Sequence, residues 1–224
     1  MGESMEINTF TLFRSCNIGI FLKCNEKFVL VPKNIAVTKA EKLSTFLGVP
    51  YIRASVSGLR LLGPLIAMNS NGILVSKYIE DDELKSLKSE TGLPVERFPS
   101  NYTAVGNLIS VNDKGAIVSN IFSSTHVKVI QDVLDVPTER MNVAGYTTVG
   151  SLIFATNVGA LVHPLTSDRE VEKIKSILKT EVTHCTVNDG VPFVSSGILG
   201  NSKGIVVGNL TNGTELMTLS MIFR

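Results

Sequence analysis

Imidazole serves both acid–base catalysis and zinc binding, so the three histidines, His126, His163 and His184, are weighed first. None has a partner at HExxH or zinc-ribbon spacing, and His184 and Cys185, as neighbours in a strand-like run, point to opposite faces. All three read as surface or core residues without a catalytic role. Cys16, Cys24 and Cys185 are odd in number, lack C-x-x-C spacing and lie beside apolar runs, which reads as buried thiols in a reducing cytoplasm. Gly145-Tyr146-Thr147-Thr148-Val149-Gly150-Ser151 has the outer glycines of a phosphate loop but not its lysine, and no strand–loop–helix context follows. Carboxylates cluster only at Glu80-Asp81-Asp82-Glu83, where a helix N-terminus uses their charge. No pair of them converges from different elements, as acid–base catalysis requires. No catalytic residue, metal, cofactor or small-molecule substrate is expected.

Composition narrows the class further. With 44% apolar and 18% charged residues the chain is not disordered, and its formal charge of +1 gives no support to a nucleic-acid clamp built on phosphate neutralisation. No apolar run approaches the ~20 residues that cross a bilayer. The opening M-G-E-S-M-E is neither a signal sequence nor a myristoylation site, because Glu6 stands where Ser or Thr belongs.

The elements that must position any functional residue are written as a repeat. One mark runs Gly19, Gly63, Gly106, Gly150 and Ser195, in steps of 44, 43, 44 and 45 residues. A second, Asn25, Asn69, Asn112, Thr156 and Asn201, keeps the same steps, as does a third, Phe28, Gly72, Gly115, Gly159 and Gly204. Three marks in one register are an internal repeat. Apolar runs such as 61–68 span the first mark and lead to the second, followed by Asn69-Ser70-Asn71-Gly72 and a second run, 73–75. This is a hairpin signal, with Asn and Gly expected to supply the positive φ of a tight turn.

A β-type run precedes each hairpin, at 7–12, 51–54, 95–98, 139–143 and 182–187, and an amphipathic helix follows it. Expected helix starts are a capping box Thr38–Glu41, the acidic pair Asp81-Asp82, Ser124, a capping box Ser167–Glu170, and Thr211 or Asn212. Gly92 is expected to end the second helix. The reading is an α/β fold of five βββα repeats, 5–48, 49–92, 93–135, 136–179 and 180–224, in one domain spanning 1–224. The terminal repeats lack the polar caps of an open solenoid, which favours closure into a ring with pseudo-five-fold symmetry. The register glycines are then explained by close backbone approach near the axis.

Positions that break the repeat are the candidates for contact. Three residues before the register glycine stand Cys16, Arg60, Thr103, Thr147 and Pro192, of which Arg60 alone is charged; just after it stand Ile20, Pro64, Asn107, Ser151 and Ser196, of which Asn107 alone carries an amide.

These residues carry a resemblance. The run Ser55 to Gly63 with its N-S-N-G turn, Ala104-Val105-Gly106-Asn107 with N-D-K-G, Leu161-Val162-His163-Pro164, Thr186-Val187-Asn188 and Thr214-Glu215-Leu216 closely resemble the translation initiation factor 6 family across all five units. The resemblance implies a pentein-type ring, also called a β/α-propeller. It implies a cytoplasmic, monomeric factor that binds the large ribosomal subunit on its intersubunit face, with a ribosomal-protein contact and rRNA nearby. Such a factor sterically blocks joining of the small subunit and acts in large-subunit biogenesis. Ending just past the fifth helix, the sequence resembles the archaeal form.

Arg60 and Asn107 match family positions at the ribosomal contact, and Ser151 and Ser196 follow by unit equivalence. The rival reading is a pentein-fold guanidino-modifying enzyme, disfavoured because no Cys follows Cys185 near the C-terminus. Arg60→Ala is expected to weaken large-subunit binding by ~1–3 kcal/mol with the fold intact, as loss of a charged contact. Unchanged cosedimentation with large subunits would refute the assignment of Arg60.

Overall fold

The computed structural model describes residues 5–223. Residues 1–4, read above as neither signal nor acylation site, and residue 224, lie outside it. The strands in chain order are β1 (Glu6–Phe10), β2 (Lys23–Cys24), β3 (Val29–Pro32), β4 (Tyr51–Ala54), β5 (Ile66–Met68), β6 (Ile73–Val75), β7 (Val95–Arg97) and β8 (Ile109–Val111). They continue as β9 (Ala116–Val118), β10 (Thr138–Arg140), β11 (Ile153–Ala155), β12 (Gly159–Val162), β13 (Glu181–His184), β14 (Ile198–Gly200) and β15 (Gly204–Gly208). Five long helices alternate with them: α1 (Val37–Leu47), α2 (Asp81–Thr91), α3 (Ser124–Leu134), α4 (Asp168–Leu178) and α5 (Gly213–Ile222).

The strands form five three-stranded sheets, β2-β3-β4, β5-β6-β7, β8-β9-β10, β11-β12-β13 and β14-β15-β1. In each, the hairpin of one unit is antiparallel and the third strand, parallel to the hairpin's second, comes from the next unit. The last sheet takes its third strand from the start of the chain: β1 pairs with β15 in parallel register from Glu6↔Gly204 to Phe10↔Gly208. The ring is closed. Each helix seals the seam between neighbouring sheets, as where Leu43 and Leu47 of α1 pack with Val29 and Val31 of their own unit and Leu199 and Val206 of the fifth.

Several local expectations are corrected. The run 61–68 is not one strand: Leu62–Leu65 is a helical turn, and only Ile66–Met68 extends. Equivalent turns occupy Ile18–Ile20, Val105–Leu108, Val149–Leu152 and Val194–Ser196. The Asn-Gly hairpin turns use no positive φ. Instead the side chain of Asn69 holds its turn, its Oδ1 accepting from the backbone N–H groups of Asn71 and Gly72 at 3.0 and 3.1 Å. Gly72 is there for proximity, because a Cβ would fall on the carbonyl oxygen of Val133.

Positive φ appears elsewhere, in tight turns at Phe13-Arg14, Ser57-Gly58, Ala144-Gly145 and Asn188 to Gly190. Helix starts also shift: α1 is capped by Ala36 rather than Thr38, and α3 by Ser123 rather than Ser124. The observed N-caps, Ala36, Glu80, Ser123, Ser167 and Asn212, share the repeat register. The strand-to-helix connection thus sets the onset whether or not a good capping residue is present. Ser167 with Glu170, Gly92 in the left-handed conformation and Asn212 stand as expected.

At the axis the five helical turns meet backbone to backbone. A Cβ on Gly63 would fall on the carbonyl oxygen of Gly19, one on Gly106 on that of Gly63, one on Gly150 on that of Gly106, and one on Gly19 on that of Ser195. Ser195 stands in a 3-10 turn like that of Gly19 in the first unit, and its Oγ donates to the Ile153 carbonyl at 2.9 Å. At the other end the buried asparagines form a belt from unit to unit. Nδ2 of Asn25 donates to the carbonyl of Asn69, Asn69 to Asn112, Asn112 to Thr156, and Asn201 to Asn25. Thr156 lacks the amide and interrupts the belt between the fourth and fifth units.

Gly106→Ala is expected to destabilise the protein by about 3 kcal/mol, since backbone on a neighbouring turn must move. Gly213→Ala, where a Cβ meets nothing within 4 Å, is expected to be neutral or slightly stabilising. Urea unfolding of the two variants checks the pair.

Candidate interaction face

The ring has two unlike faces. The central strand of each sheet and the following unit's strand both run toward one face, which therefore gathers the tight positive-φ turns, the axial helical turns and the N-termini of the long helices. The asparagine-bearing hairpins and the helix C-termini lie on the other.

On the hairpin face the polar side chains consume one another. Asp113 accepts from Ser70 N and Oγ at 2.7 and 2.8 Å. Asn157 Nδ2 donates to both Asp113 and Glu26 at 2.7 and 3.2 Å, and Glu26 also accepts from the backbone and hydroxyl of Ser202. Little hydrogen-bonding capacity is left for a partner.

The axial-turn face is the reverse. Asn107, Ser151 and Ser196 line one mouth on the axis with Ile20 and Pro64, one residue from each unit, around a cavity of about 50 Å³. The side chains of Asn107 and Ser151 have no hydrogen-bond partner among the described residues, while Ser196 Oγ donates to the Phe193 carbonyl at 2.8 Å.

Arg60 is not in this mouth. It stands at an open cleft with Lys33, Asn34, Ser55 and Glu83. Its guanidinium carbon lies 4.6 Å from the centroid of Phe13 and 6.0 Å from that of Phe21. Arg60 is therefore stacked across the seam between the first two units by a cation–π contact while remaining exposed. Structure unites three of the four candidates and leaves the fourth at the rim.

Sequence reasoning missed the apolar part of this face. Leu59, Tyr102 and Tyr146, 43 or 44 residues apart, are 48%, 49% and 44% exposed. Tyr146, His163 and Phe193 form a three-ring cluster with centroids 5.8–6.2 Å apart. Tyr78, Leu165 and Leu210, equivalent positions after the central strands, are exposed too. The signal was available: large apolar residues recur at repeat positions outside every strand and helix stripe. Exposed tyrosines, a phenylalanine and an arginine on one face are residue types enriched where proteins meet.

The histidines and two of the thiols are held by burial and backbone contacts. Burial holds His163 neutral by lowering its pKa, and its Nδ1 accepts from the Leu165 N–H at 3.1 Å. His126 and His184 instead place Nε2 3.0 and 2.7 Å from the carbonyls of Pro99 and Thr166. Burial, then the charge of Glu215, pushes the Cys185 thiol up to about 11, and burial with Glu26 raises Cys24 as well. Both thiols are thus shifted away from the reactive thiolate form.

Lys23 was not anticipated. It is half-buried, but its surface faces the cavity at the axial mouth and a second axial cavity below it, lined by Cys24, Ser110 and Phe154. Burial lowers its pKa from 10.5 to about 8.

The eIF-6 family matches residues 7–222 of the chain. Over 219 residues the chain is 41% identical to Translation initiation factor 6 of Nitrosopumilus maritimus (strain SCM1), covering 98% of this chain and 99% of that protein. It is similar at 41% over 220 residues to the protein of the same name from Pyrococcus abyssi (strain GE5 / Orsay), covering 96% and 97%. The protein of that name from Staphylothermus marinus (strain ATCC 43588 / DSM 3639 / JCM 9404 / F1) is 32% identical, with 96% of each chain covered.

A depressed lysine pKa means that the folded state resists the proton. Below pH about 8 the fold bears the whole cost of a charged Lys23, and stability recovers as pH rises toward 10.5, where the unfolded chain also loses its proton. Lys23→Met is therefore expected to raise stability at pH 7 by ~1–3 kcal/mol. This gain should shrink between pH 8 and 10.5, as read from urea unfolding at pH 7 and pH 9.5.

Proposed function

The chain belongs to the eIF-6 family, and from that membership we propose that it is a translation factor that binds the large ribosomal subunit through its axial-turn face. Bound there as a single copy on the intersubunit side, the ring occupies space that the small subunit needs and keeps the two subunits apart. Binding during assembly of the large subunit extends the same role to its biogenesis. No turnover is required, because exclusion depends only on occupancy.

One observation carries this reading: the two faces of the ring differ in what they leave unused. Asn107 and Ser151 lack side-chain partners among the described residues, share their mouth with Ile20 and Pro64, and lie on the face that exposes Tyr102, Tyr146 and Phe193, whereas the hairpin face ties many of its polar groups to one another. An amide at a mouth rimmed by apolar side chains favours a protein contact, where a buried hydrogen bond is worth about 1 kcal/mol and truncation costs more. A formal charge of +1 suits a mainly protein contact better than an RNA clamp.

Purified small and large subunits mixed with the factor and resolved on a sucrose gradient test it. The factor is expected to migrate with the large subunit and to deplete the joined particle in proportion to its amount. Asn107→Ala should shift both effects to at least fivefold higher factor concentration, while Asp135→Asn, at a helix C-cap on the hairpin face, should leave them unchanged. Undiminished joining at saturating factor would overturn the proposal.

A further inference from the structure

The tight turns of the axial-turn face share an internal anion, and one unit lacks it. In the second unit the carboxylate of Glu83, third residue of its helix, accepts from the turn N–H groups of Ser57 and Gly58 at 2.7 and 2.9 Å, and from Ser55 Oγ at 2.6 Å. In the fifth, Glu215 does the same for Asp189 and Gly190 at 3.0 and 2.9 Å, with Thr186 Oγ1 at 2.6 Å. In the fourth, Glu170 accepts from Ala144 at 3.0 Å. Burial alone would raise the three carboxyls, but hydrogen bonds from the Ser55, Ser167 and Thr186 hydroxyls, the helix-start N–H groups and the turn N–H groups together hold them below their ordinary range. The turn is thus a seat for an oxyanion that the chain itself fills in three units. The third unit has no such turn: no residue between its first strand and its axial helical turn takes positive φ, and His126 stands in place of the carboxylate.

The first unit has the seat without the occupant. Phe13 and Arg14 take φ of 51° and 60°, as Ser57 and Gly58 do at 55° and 69°. The bridge between Leu12 and Ser15 matches that between Val56 and Leu59. At the helix position held by Glu83, Glu170 and Glu215 stands Lys39, whose Nζ donates to the Thr11 carbonyl at 2.6 Å. The N–H groups of Phe13 and Arg14 have no acceptor among the described residues. Arg14 is exposed, and the guanidinium of Arg60 lies over the Phe13 ring.

Where the sibling units set one carboxylate on the turn, the first sets three cations around it. Phe and Arg are also poor choices for two left-handed positions that favour Asn and Gly, so the turn retains them for their side chains.

We propose that the Phe13-Arg14 turn, with Lys39 and Arg60, is a binding site for a phosphate group. The backbone N–H pair supplies the directional donors that the sibling units give to a carboxylate, and Arg14, Lys39 and Arg60 supply the charge that favours phosphate over a lone carboxylate. The site lies at the rim of the axial-turn face, so a phosphate fixed to a larger partner reaches it without entering the axial mouth.

The experiment uses the isolated chain, so its result is independent of the ribosomal role. Backbone amide NMR spectra are recorded while inorganic phosphate, a short RNA hairpin or acetate is added. The amides of Phe13 and Arg14 are expected to shift saturably with phosphate or RNA, while those of Ser57, Gly58, Asp189 and Gly190, already occupied, stay in place. Saturation by the hairpin at lower concentration than inorganic phosphate identifies a phosphodiester; saturation by inorganic phosphate alone identifies a free phosphate.

Lys39→Glu restores the carboxylate of the sibling units and should weaken phosphate binding at least tenfold. Arg14→Ser, at an exposed side chain, should weaken it about threefold and guards against a folding defect in the first variant. Absence of a shift with both phosphate probes, acetate acting as well as phosphate, or unaltered binding by both variants would overturn the proposal.

Discussion

The pairing of β1 with β15 is the interaction on which the rest of the structure depends. It joins the two ends of the chain in one parallel ladder of five residue pairs from Glu6↔Gly204 to Phe10↔Gly208. Every other sheet likewise borrows a strand from the following unit, so no unit holds a complete sheet of its own. Were β1 not seated beside β15, the last sheet would lack its third strand and the α1 core would lose its wall of Leu199 and Val206. A contact of such sequence separation is slow to form, because the entropy of closing so long a loop is lost before the contact offsets it.

Closure also explains why the two faces differ. At one end the hairpins are tied to each other by the belt from Asn25 through Asn69 and Asn112 and by the carboxylates of Glu26 and Asp113. That face spends its polar groups on holding neighbouring units in register. At the other end the units meet through backbone, where glycine lets each axial turn touch the carbonyl of the one before it. Side chains there are not needed for closure and remain available: Asn107 and Ser151 at the mouth, Tyr146 and Phe193 beside it. Carboxylates at the third helical position stabilise the turns on that face in three units, and Lys39 departs from the pattern in a fourth.

The fold was legible in the sequence to an unusual depth because the repeat marks recur for physical reasons that every unit shares. Gly63 and its equivalents recur because backbone approaches backbone, and Asn69 and its equivalents because one amide both holds a turn and bridges to the next unit. Finer detail was less legible. A run of apolar residues at 61–68 carries no mark separating a helical turn from a strand, since both are buried against the axis. Thr38–Glu41 has the composition of a cap, but the helix begins at the register position even though Ala36 offers no capping side chain. Of the candidate site, Asn107, Ser151 and Ser196 share the mouth because equivalent residues of a ring must share a distance from its axis. The apolar rim was passed over because single exposed leucines and tyrosines are unremarkable until a surface places them together.

Sequence alone determined the period, the alternation of hairpin and helix, and the positions that depart from the repeat, because each is a matter of residue type at fixed spacing. Tertiary structure decided which strand pairs with which, where positive φ falls, and what each departure touches. Arg60 shows the division. Its charge is anomalous in the sequence, but its stacking on Phe13 of the preceding unit exists only once the ring brings two neighbouring turns side by side. Lys23 shows it as well: an ordinary lysine on a short strand has its pKa lowered only because that strand faces the axis, where little water reaches it.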